Sequence, residues 1–289
     1  MDRFFIITNE TRDPDLRLTR EIEAFITDKG KCCTGIMCAL PQDDAKAAEE
    51  LRKSIPSDTE CIIVLGGDGT LLRAARNLFM KNIPFLGINT GHLGYLTEGS
   101  GSTAQSLLEK VFADEFIIEE RMLIRGGIVN ADGSSECGCV FALNDITLNR
   151  NNSLKIIEFN LYVNGELLYN YSADGIIIST PTGSTAYNLS CGGPVAIPTS
   201  RLIIVTPIAP HSLNNRSLVL SADDRIEIEI VGSGKDPDGL VGYVVYFDGD
   251  ADYHPLPGSR LRAEAADQVV RLVRLSRRSF LQTLKAKMS

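Results

Sequence analysis

The first 118 residues alternate short apolar runs with stretches in which apolar residues recur at helical spacing. The run Cys61-Ile-Ile-Val-Leu65 is bounded by glycine, which is typical of a buried strand. After Gly66-Gly-Asp-Gly-Thr70, apolar residues recur every three or four positions, which predicts a helix. Similar strand signals lie at 3–8, 35–40 and 84–88, and helical signals lie at 18–26, 45–51 and 103–112. This alternation predicts an α/β domain with a parallel sheet and helices on its faces.

The pattern changes near residue 119. From there to about residue 274, apolar and polar residues alternate in short segments, as in Ile157-Glu-Phe-Asn-Leu-Tyr-Val163, and Asn164-Gly165 predicts a tight hairpin turn. Such half-buried strands indicate an all-β, sandwich-like domain. Helical spacing returns at 279–287, and we expect this helix to pack on the first domain. The predicted domains are residues 1–118 with 275–289, and residues 119–274.

Composition limits the classes of partner. The chain has 289 residues, of which 44% are hydrophobic and 23% charged, and its formal net charge is −8. These values fit a soluble globular protein with room for two domains. The negative charge disfavours non-specific binding of nucleic acid or acidic membranes, so we expect neither as a partner. No apolar run reaches membrane-spanning length, and the first residues lack the organisation of a signal peptide, which predicts a cytoplasmic protein.

The cysteines and histidines do not indicate a metal site. The chain has seven cysteines, an odd number, and they lack paired Cys-x-x-Cys spacing. There are only three histidines. We therefore expect reduced thiols rather than zinc ligands.

One carboxylate, Asp68, lies among three glycines where the predicted strand turns into the predicted helix. Glycine lets the backbone approach a ligand closely, and the free N–H groups of a helix start attract phosphate. A carboxylate is useful there if it takes a proton from an attacking hydroxyl or meets a metal ion carried by the phosphate. Alternatively, Asp68 only caps the helix. The two common glycine-rich phosphate motifs are absent, so a phosphate would be bound by another route.

Three further clusters place small polar residues beside predicted strands. Asn89 follows the strand predicted at 84–88, at the edge where open parallel sheets bind ligands. Asn144 and Asp145 interrupt a strand-like stretch, and an amide with a carboxylate suits the two hydroxyls of a ribose. Asp174 and Tyr187 belong to a segment rich in glycine and hydroxyl groups, in which the tyrosine ring can lie against a base. For the first two clusters, a plain loop or turn remains the alternative.

In this order, the clusters resemble the NAD kinase family. The likeness extends over most of the chain, including Arg-Ser-Phe at 278–280. Gly-Gly-Asp-Gly alone also occurs in diacylglycerol-type lipid kinases and phosphofructokinases, whereas the run at 174–187 is highly specific. The matching motifs are Gly-Gly-Asp-Gly-Thr at 66–70, Asn-Thr-Gly-x-Leu-Gly-Tyr-Leu at 89–96, Asn-Asp at 144–145, Asp-Gly-x4-Thr-Pro-Thr-Gly-Ser-Thr-Ala-Tyr at 174–187 and Thr-Pro-Ile-x-Pro-His-Ser-Leu at 206–213.

The resemblance implies transfer of the terminal phosphoryl group of ATP, or of polyphosphate, to the 2′-hydroxyl of the adenosine ribose of NAD, which makes NADP. It implies that Asp68 is the base toward this hydroxyl and that the backbone around Gly66, Gly67 and Thr70 binds phosphate. Because no lysine lies in this motif, we expect Mg²⁺ or another divalent ion as cofactor, without assigning it a protein ligand. The implied substrate-binding residues are Gly69, Asn89, Asn144, Asp145, Lys155, Asp174, Thr185, Ala186, Tyr187, Asn188 and Ser190.

The resemblance also implies a homodimer or homotetramer. Asp250 departs from the family pattern, which often has Gln after Asp-Gly; a carboxylate cannot donate as an amide does, so its contact with NAD is open. Two other functions remain: a diacylglycerol-type lipid kinase, which needs an apolar acceptor groove, and a non-catalytic dinucleotide-binding regulator. The sequence does not decide between NAD and NADH, or between ATP and polyphosphate.

Overall fold

The chain separates into two compact units, which we call the first and second unit. A computed structural model describes residues 1–38, 45–91, 94–151, 155–211, 216–231, 242–275 and 279–288. The first unit is Met1–Arg121 with Val269–Ser289, and the second is Met122–Gln268. The sequence pattern predicts these boundaries at 118/119 and 274/275.

Helices concentrate in the first unit and strands in the second. The helices are α1 (Arg17–Asp28), α2 (Ala45–Ser54), α3 (Asp68–Leu78), α4 (Ala104–Phe112), α5 (Tyr187–Ser190) and α6 (Phe280–Met288). The strands are β1 (Arg3–Thr8), β2 (Cys32–Met37), β3 (Cys61–Leu65), β4 (Phe85–Asn89), β5 (Gly99–Ser100), β6 (Ile117–Val129), β7 (Ser135–Ala142), β8 (Asp145–Asn151), β9 (Ile157–Val163), β10 (Glu166–Ala173), β11 (Gly175–Ser179), β12 (Leu202–Ile208), β13 (Leu218–Ser221), β14 (Ile226–Val231), β15 (Gly242–Phe247), β16 (Ala251–Tyr253) and β17 (Arg260–Arg274).

The first unit contains the predicted parallel sheet. β3 pairs in parallel with β1 and β4, β1 pairs in parallel with β2, and the end of β17 pairs in parallel with β4. β3 and β4 are buried along their whole length, and residues of α1 and α4 pack with them in one core. This burial explains their uninterrupted apolar runs, because a parallel sheet covered on both faces has no solvent side. β2 begins at Cys32, earlier than predicted, because it pairs with β1 from Arg3; residues 39 and 40 of that prediction lie outside the described chain.

The second unit consists of two packed sheets, as the alternating pattern predicted. One runs in the order β10-β9-β14-β17, and the other in the order β13-β12-β11-β8-β15-β16. Inward-facing residues of both sheets, such as Phe159 and Ile176, belong to one buried cluster. Asn164 and Gly165 have φ of 55° and 85° in the turn between β9 and β10, which confirms the predicted hairpin.

The last helix packs on the first unit. The Phe280 ring centroid lies 6.2 Å from that of Tyr95, and Lys287 Nζ lies 4.5 Å from the Tyr95 ring centroid. α6 therefore contacts the loop that follows β4, as the sequence analysis expected. Within the described ranges, no helix has the length and apolar character needed to cross a lipid bilayer.

Candidate functional site

An open backbone surface surrounds Asp68 at the start of α3. A Cβ at Gly66 would lie 2.5 Å from Thr70 Oγ1, so glycine is required where the threonine folds over the turn. A Cβ at Gly67 or Gly69 would meet nothing within 4 Å, so both positions face open space. Because the first N–H groups of a helix have no intrahelical acceptor and lie at its positive end, this surface suits an anion.

The Asp68 carboxylate is held by a second loop. The Tyr95 N–H donates to Oδ2 at 2.7 Å, and the Leu96 N–H donates to Oδ1 at 3.1 Å. Gly67, not Asp68, occupies the N-cap position of α3. These bonds make Asp68 more than a cap, because they fix its carboxylate against residues far away in the chain. A carboxylate has about four lone-pair positions, so about two remain for a ligand.

Gly94 is required for this close approach. A Cβ there would lie 1.7 Å from Asp68 Oδ1. Thr97 Oγ1 accepts two hydrogen bonds, from the Gly94 N–H at 3.1 Å and from Asn89 Nδ2 at 3.3 Å. Asn89 Oδ1 accepts a third, from the Gly91 N–H at 2.6 Å. Asn89 thus braces the loop from within, with its side chain buried. His92, in the same predicted cluster, lies outside the described residues.

Two hydroxyls at the carboxyl ends of strands were missed by the sequence analysis. Thr8 ends β1, and Thr90 directly follows β4. Their Oγ1 atoms are buried and have no hydrogen-bond partner within the described part of the chain. A buried polar atom without a partner costs about 1–3 kcal/mol, which singles out these two hydroxyl groups beside the Asp68 turn. A hydroxyl residue at the end of a buried parallel strand is the sequence signal that identifies such positions.

The second unit contains a cavity of about 470 Å³, within the usual range of small-molecule sites. It brings together four residues predicted for substrate binding: Asn144, Asp145, Ala186 and Tyr187. The Tyr187 side chain is 43% exposed, so its ring is available to a ligand. The full lining is Asn144, Asp145, Thr147, Asn149, Ala186, Tyr187, Tyr246, Asp248 and Gly249.

Asp248 holds one wall of this cavity and was not predicted as a site residue. Its carboxylate accepts the N–H groups of Leu143, Asn144 and Asp145 at 2.9, 2.7 and 3.2 Å. Positive φ at Asp248 and Gly249 (55° and 76°) forms the tight turn that places it there. Burial, and secondly the nearby Asp248 carboxylate, raise the pKa of Asp145 from 3.8 to about 7. In the sequence, the Asp-Gly pair at 248–249 stands out only as the motif that precedes Asp250.

The hydroxyl-rich segment holds the same wall from the other side. Thr180 Oγ1 donates to the Leu143 carbonyl at 2.5 Å, and the Thr180 N–H donates to the Asn144 carbonyl at 2.8 Å. A Cβ at Gly183 would lie 2.1 Å from the Asn144 carbonyl oxygen, so glycine is required at this contact. The residues before β8 are therefore fixed between Asp248 and the segment that carries Tyr187.

Asn188 is a fully buried brace of this segment. Its Nδ2 donates to the carbonyls of Ser184 and Pro194 at 3.1 and 3.0 Å, and its Oδ1 accepts from Thr206 Oγ1 at 2.7 Å. Gly193 packs against it so closely that a Cβ would lie 2.0 Å from Oδ1. These bonds occupy both donors and one acceptor site of the amide, which leaves it turned toward the protein.

Several predicted residues lie outside the cavity lining. Asp174 forms a bidentate ion pair with Arg150, with Nε–Oδ1 at 2.9 Å and Nη2–Oδ2 at 3.3 Å, and the sequence analysis did not identify this arginine. Thr185 Oγ1 donates to the Thr182 carbonyl at 3.4 Å. Ser190 and Lys155 are exposed, the latter in the segment before β9. Their substrate contacts stay predictions.

Comparison with known protein families identifies the family to which this chain belongs. Residues 5–116 match the model of the ATP-NAD kinase N-terminal domain, and residues 143–275 match that of the ATP-NAD kinase C-terminal domain. Together these matches cover more than half of the chain. The chain belongs to the NAD kinase family. This family of phosphotransferases is the one that the motifs predicted.

Individual relatives agree over the full length. A protein of Lachnospira eligens named NAD kinase is 44% identical over 298 aligned residues, which cover 100% of both chains. An NAD kinase from Archaeoglobus fulgidus, solved in complex with ATP, is 26% identical with a TM-score of 0.75 and 99% and 98% coverage. Yeast NADH kinase, solved with NADH, is 22% identical with a TM-score of 0.80 and 100% and 87% coverage, and it supports the shared NAD kinase fold.

Proposed function

We propose that this protein transfers the terminal phosphoryl group of ATP to the 2′-hydroxyl of the adenosine ribose of NAD, which makes NADP. The observation that carries the proposal is the Asp68 carboxylate, oriented by the Tyr95 and Leu96 amides beside the open backbone at Gly67 and Gly69. Membership of the NAD kinase family supports ATP and NAD as the substrates. The relatives' names favour NAD over a lipid as the acceptor.

In this proposal Asp68 accepts the proton of the 2′-hydroxyl as that oxygen attacks phosphorus. A positioned base contributes about 10²–10⁴-fold to such a reaction. The Gly67 and Gly69 N–H groups donate to phosphate oxygens, whereas those of Gly66 and Thr70 already donate to the carbonyls of Ile88 and Gly67. Phosphoryl transfer depends chiefly on positioning and charge neutralisation, and this turn provides donors for both.

Mg²⁺ fits this site as an ion carried by the nucleotide. Within the described ranges no group of three or more His, Cys, Asp or Glu side chains converges to bind a metal. Mg²⁺ commonly binds one or two carboxylates together with substrate phosphates and water, and Asp68 is the candidate protein ligand. When bound, the ion neutralises charge on the transferred phosphoryl group.

We assign the dinucleotide to the cavity of the second unit. Asn144 and Asp145 offer an amide and a carboxyl group to ribose hydroxyls, Ala186 lines the same wall, and the Tyr187 ring is available to a base. We infer a supporting role for Asn188, because its amide is buried and bonded to the protein. The other predicted contacts are Lys155, Asp174, Thr185 and Ser190.

The test is an assay of the purified chain with ATP, Mg²⁺ and one acceptor: NAD, NADH or a diacylglycerol. NADP formation, followed with an NADP-specific dehydrogenase, is the expected result, and it should disappear when EDTA removes Mg²⁺. Phosphorylation of diacylglycerol would instead establish the lipid-kinase alternative. NAD binding without transfer would favour a non-catalytic regulator. Replacing ATP by polyphosphate in the same assay determines the donor.

We also propose a cytoplasmic homodimer or homotetramer, which is what membership of the family leads us to expect. Light scattering coupled to size-exclusion chromatography measures the assembly directly. A monomer at assay concentration that makes NADP at the full rate would contradict this part of the proposal.

A further inference from the structure

Arg274, the last residue of β17, lies inside a largely buried group of charges in the first unit. Its Nη1 donates to Glu98 Oε1 at 2.7 Å, its Nε donates to Glu119 Oε1 at 2.9 Å, and its Nη2 donates to the Tyr95 carbonyl at 3.2 Å. The Glu98 side chain is only 3% exposed, and its Oε2 accepts the Leu275 N–H at 2.9 Å. One planar guanidinium thus meets three acceptors, a geometry that suits arginine and not lysine.

Tyr95 connects this group of charges to the candidate base. Its carbonyl accepts from Arg274, and its N–H donates to Asp68 Oδ2 at 2.7 Å. The next amide, that of Leu96, donates to Asp68 Oδ1. A displacement of the backbone at residue 95 would therefore move both donors that orient the Asp68 carboxylate.

We infer that Arg274 is a positioning residue for phosphoryl transfer: by holding the Tyr95 carbonyl, it fixes the two amides that orient Asp68. This inference rests on the proposed function of Asp68. This role requires no contact between Arg274 and the reacting atoms. Its effect passes through the backbone of a single residue.

Charge balance alone does not account for Arg274. Glu119 already has a second partner, since Arg121 Nε and Nη2 lie 2.8 and 2.6 Å from its Oε1. A buried ion pair is weak evidence for stability, because desolvation of both charges offsets their attraction. The hydrogen bond from Arg274 to the Tyr95 carbonyl is not needed to balance charge, so it indicates a different role.

The Tyr95 side chain has a separate anchor. Its ring lies against Phe280 and Lys287 of α6. We therefore expect the loop to stay folded when Arg274 is replaced, while its amides lose their fixed position. This separates a positioning effect from a loss of structure.

The test is the double variant Arg274→Met/Glu98→Gln. It removes one charge of each sign, leaves the Glu119–Arg121 pair intact, and keeps an oxygen that can accept the Leu275 N–H. We expect a melting temperature within a few degrees of wild type, because the charges are removed as a pair. The value of kcat should fall about 10–100-fold, with KM for NAD within about threefold, as for a misplaced catalytic group. In the absence of substrate, the Tyr95 and Leu96 amides should exchange hydrogen about tenfold faster.

The matched control is Arg271→Met/Glu120→Gln. These residues form an ion pair at 3.3 Å between β17 and β6, and both side chains are more than one-third exposed. We expect wild-type kcat and wild-type amide exchange at residues 95 and 96. If this control loses activity as the test variant does, the effect is not specific to Arg274 and the inference fails.

A folded test variant with wild-type kcat, or with unchanged exchange at both amides, would overturn the inference. If the double variant does not fold, Arg274→Lys replaces it as the test. Lysine keeps the positive charge but lacks the planar guanidinium that meets three acceptors. A wild-type kcat of Arg274→Lys would overturn the inference. Failure of the proposed function is distinguishable, because then the wild-type chain makes no NADP. The exchange measurement still tests whether Arg274 holds the amides.

Discussion

In the first unit, the Asp68 carboxylate accepts two backbone N–H groups and lies beside open glycine positions. In the second unit, Asp145 is only 6% exposed and lies near Asp248, whose carboxylate accepts three backbone N–H groups. Backbone donors orient Asp68, whereas burial and a neighbouring carboxylate raise the pKa of Asp145 to about 7.

This difference suits two kinds of task. A carboxylate oriented by backbone amides presents its remaining lone pairs in a fixed direction, which a base needs. A carboxyl group with a pKa near neutrality can donate as well as accept a hydrogen bond, which suits recognition of hydroxyl groups. The two units therefore differ in which property of an aspartate they control: direction in one and protonation in the other.

The largest expected effect tests the direction of Asp68. We expect Asp68→Asn to keep the fold and NAD binding while kcat falls by about 10²-fold or more, because the amide cannot take the proton. NADP formation and NAD calorimetry measure the two quantities. Asp28→Asn, at the exposed end of α1, is the control and should be active. Full activity of Asp68→Asn would end the assignment of Asp68 as the base.

Gly94→Ala tests the same carboxylate without changing it. The new Cβ would overlap Asp68 Oδ1, so the carboxylate must turn away from the Tyr95 and Leu96 amides. We expect kcat to fall about 10–100-fold, as for a misplaced catalytic group. Gly91→Ala is the matched control, because its nearest atom would be 3.6 Å away. If Gly94→Ala is as active as Gly91→Ala and the wild type, the orientation of the Asp68 carboxylate does not affect the rate.

Tyr187→Ala tests the cavity of the second unit. Stacking of an aromatic ring on a base is worth about 1–3 kcal/mol, so we expect the dissociation constant for NAD to rise about tenfold. Stability should change little, because the side chain is nearly half exposed. Tyr187→Phe keeps the ring and should bind nearly as wild type does. Unchanged NAD affinity of Tyr187→Ala would remove this residue from the site.

The last test measures stability instead of activity or binding, and it concerns the protonation of Asp145. Because its pKa is raised from 3.8 to about 7, the folded state keeps a proton that the unfolded state releases. The contribution of this proton to the free energy of unfolding is complete below about pH 4 and is lost as pH rises to about 7. The free energy of unfolding falls over this interval by at most about 1.4 kcal/mol per pH unit. Relative to wild type, Asp145→Asn should gain stability over this interval. Denaturant unfolding measures it, and parallel pH profiles of the two proteins would contradict it.

Local patterns in the sequence predicted most of the elements. The apolar run Cys61–Leu65 is β3, and the alternating segment Ile157–Val163 is β9. The spacing of apolar residues and the identity of turn residues depend only on neighbouring positions, so they can be recognised from the sequence without knowledge of the fold. The motif order also predicted the NAD kinase family, which the comparisons confirmed. The divalent ion, the oligomeric state and the substrate contacts stay predictions.

The tertiary structure alone decided which groups hold the candidate carboxylates. Asp68 is bonded by an amide 27 residues away, the Asn144 amide is bonded by Asp248 across 104 residues, and Tyr95 is bonded by Arg274 across 179 residues. Such pairs form because the ends of particular strands meet, and strand order depends on how the whole sheet packs. By itself, the sequence determined the elements, the family and the position of Asp68. Only the packed sheets determined its direction and the protonation of Asp145, because both depend on distant donors and on burial.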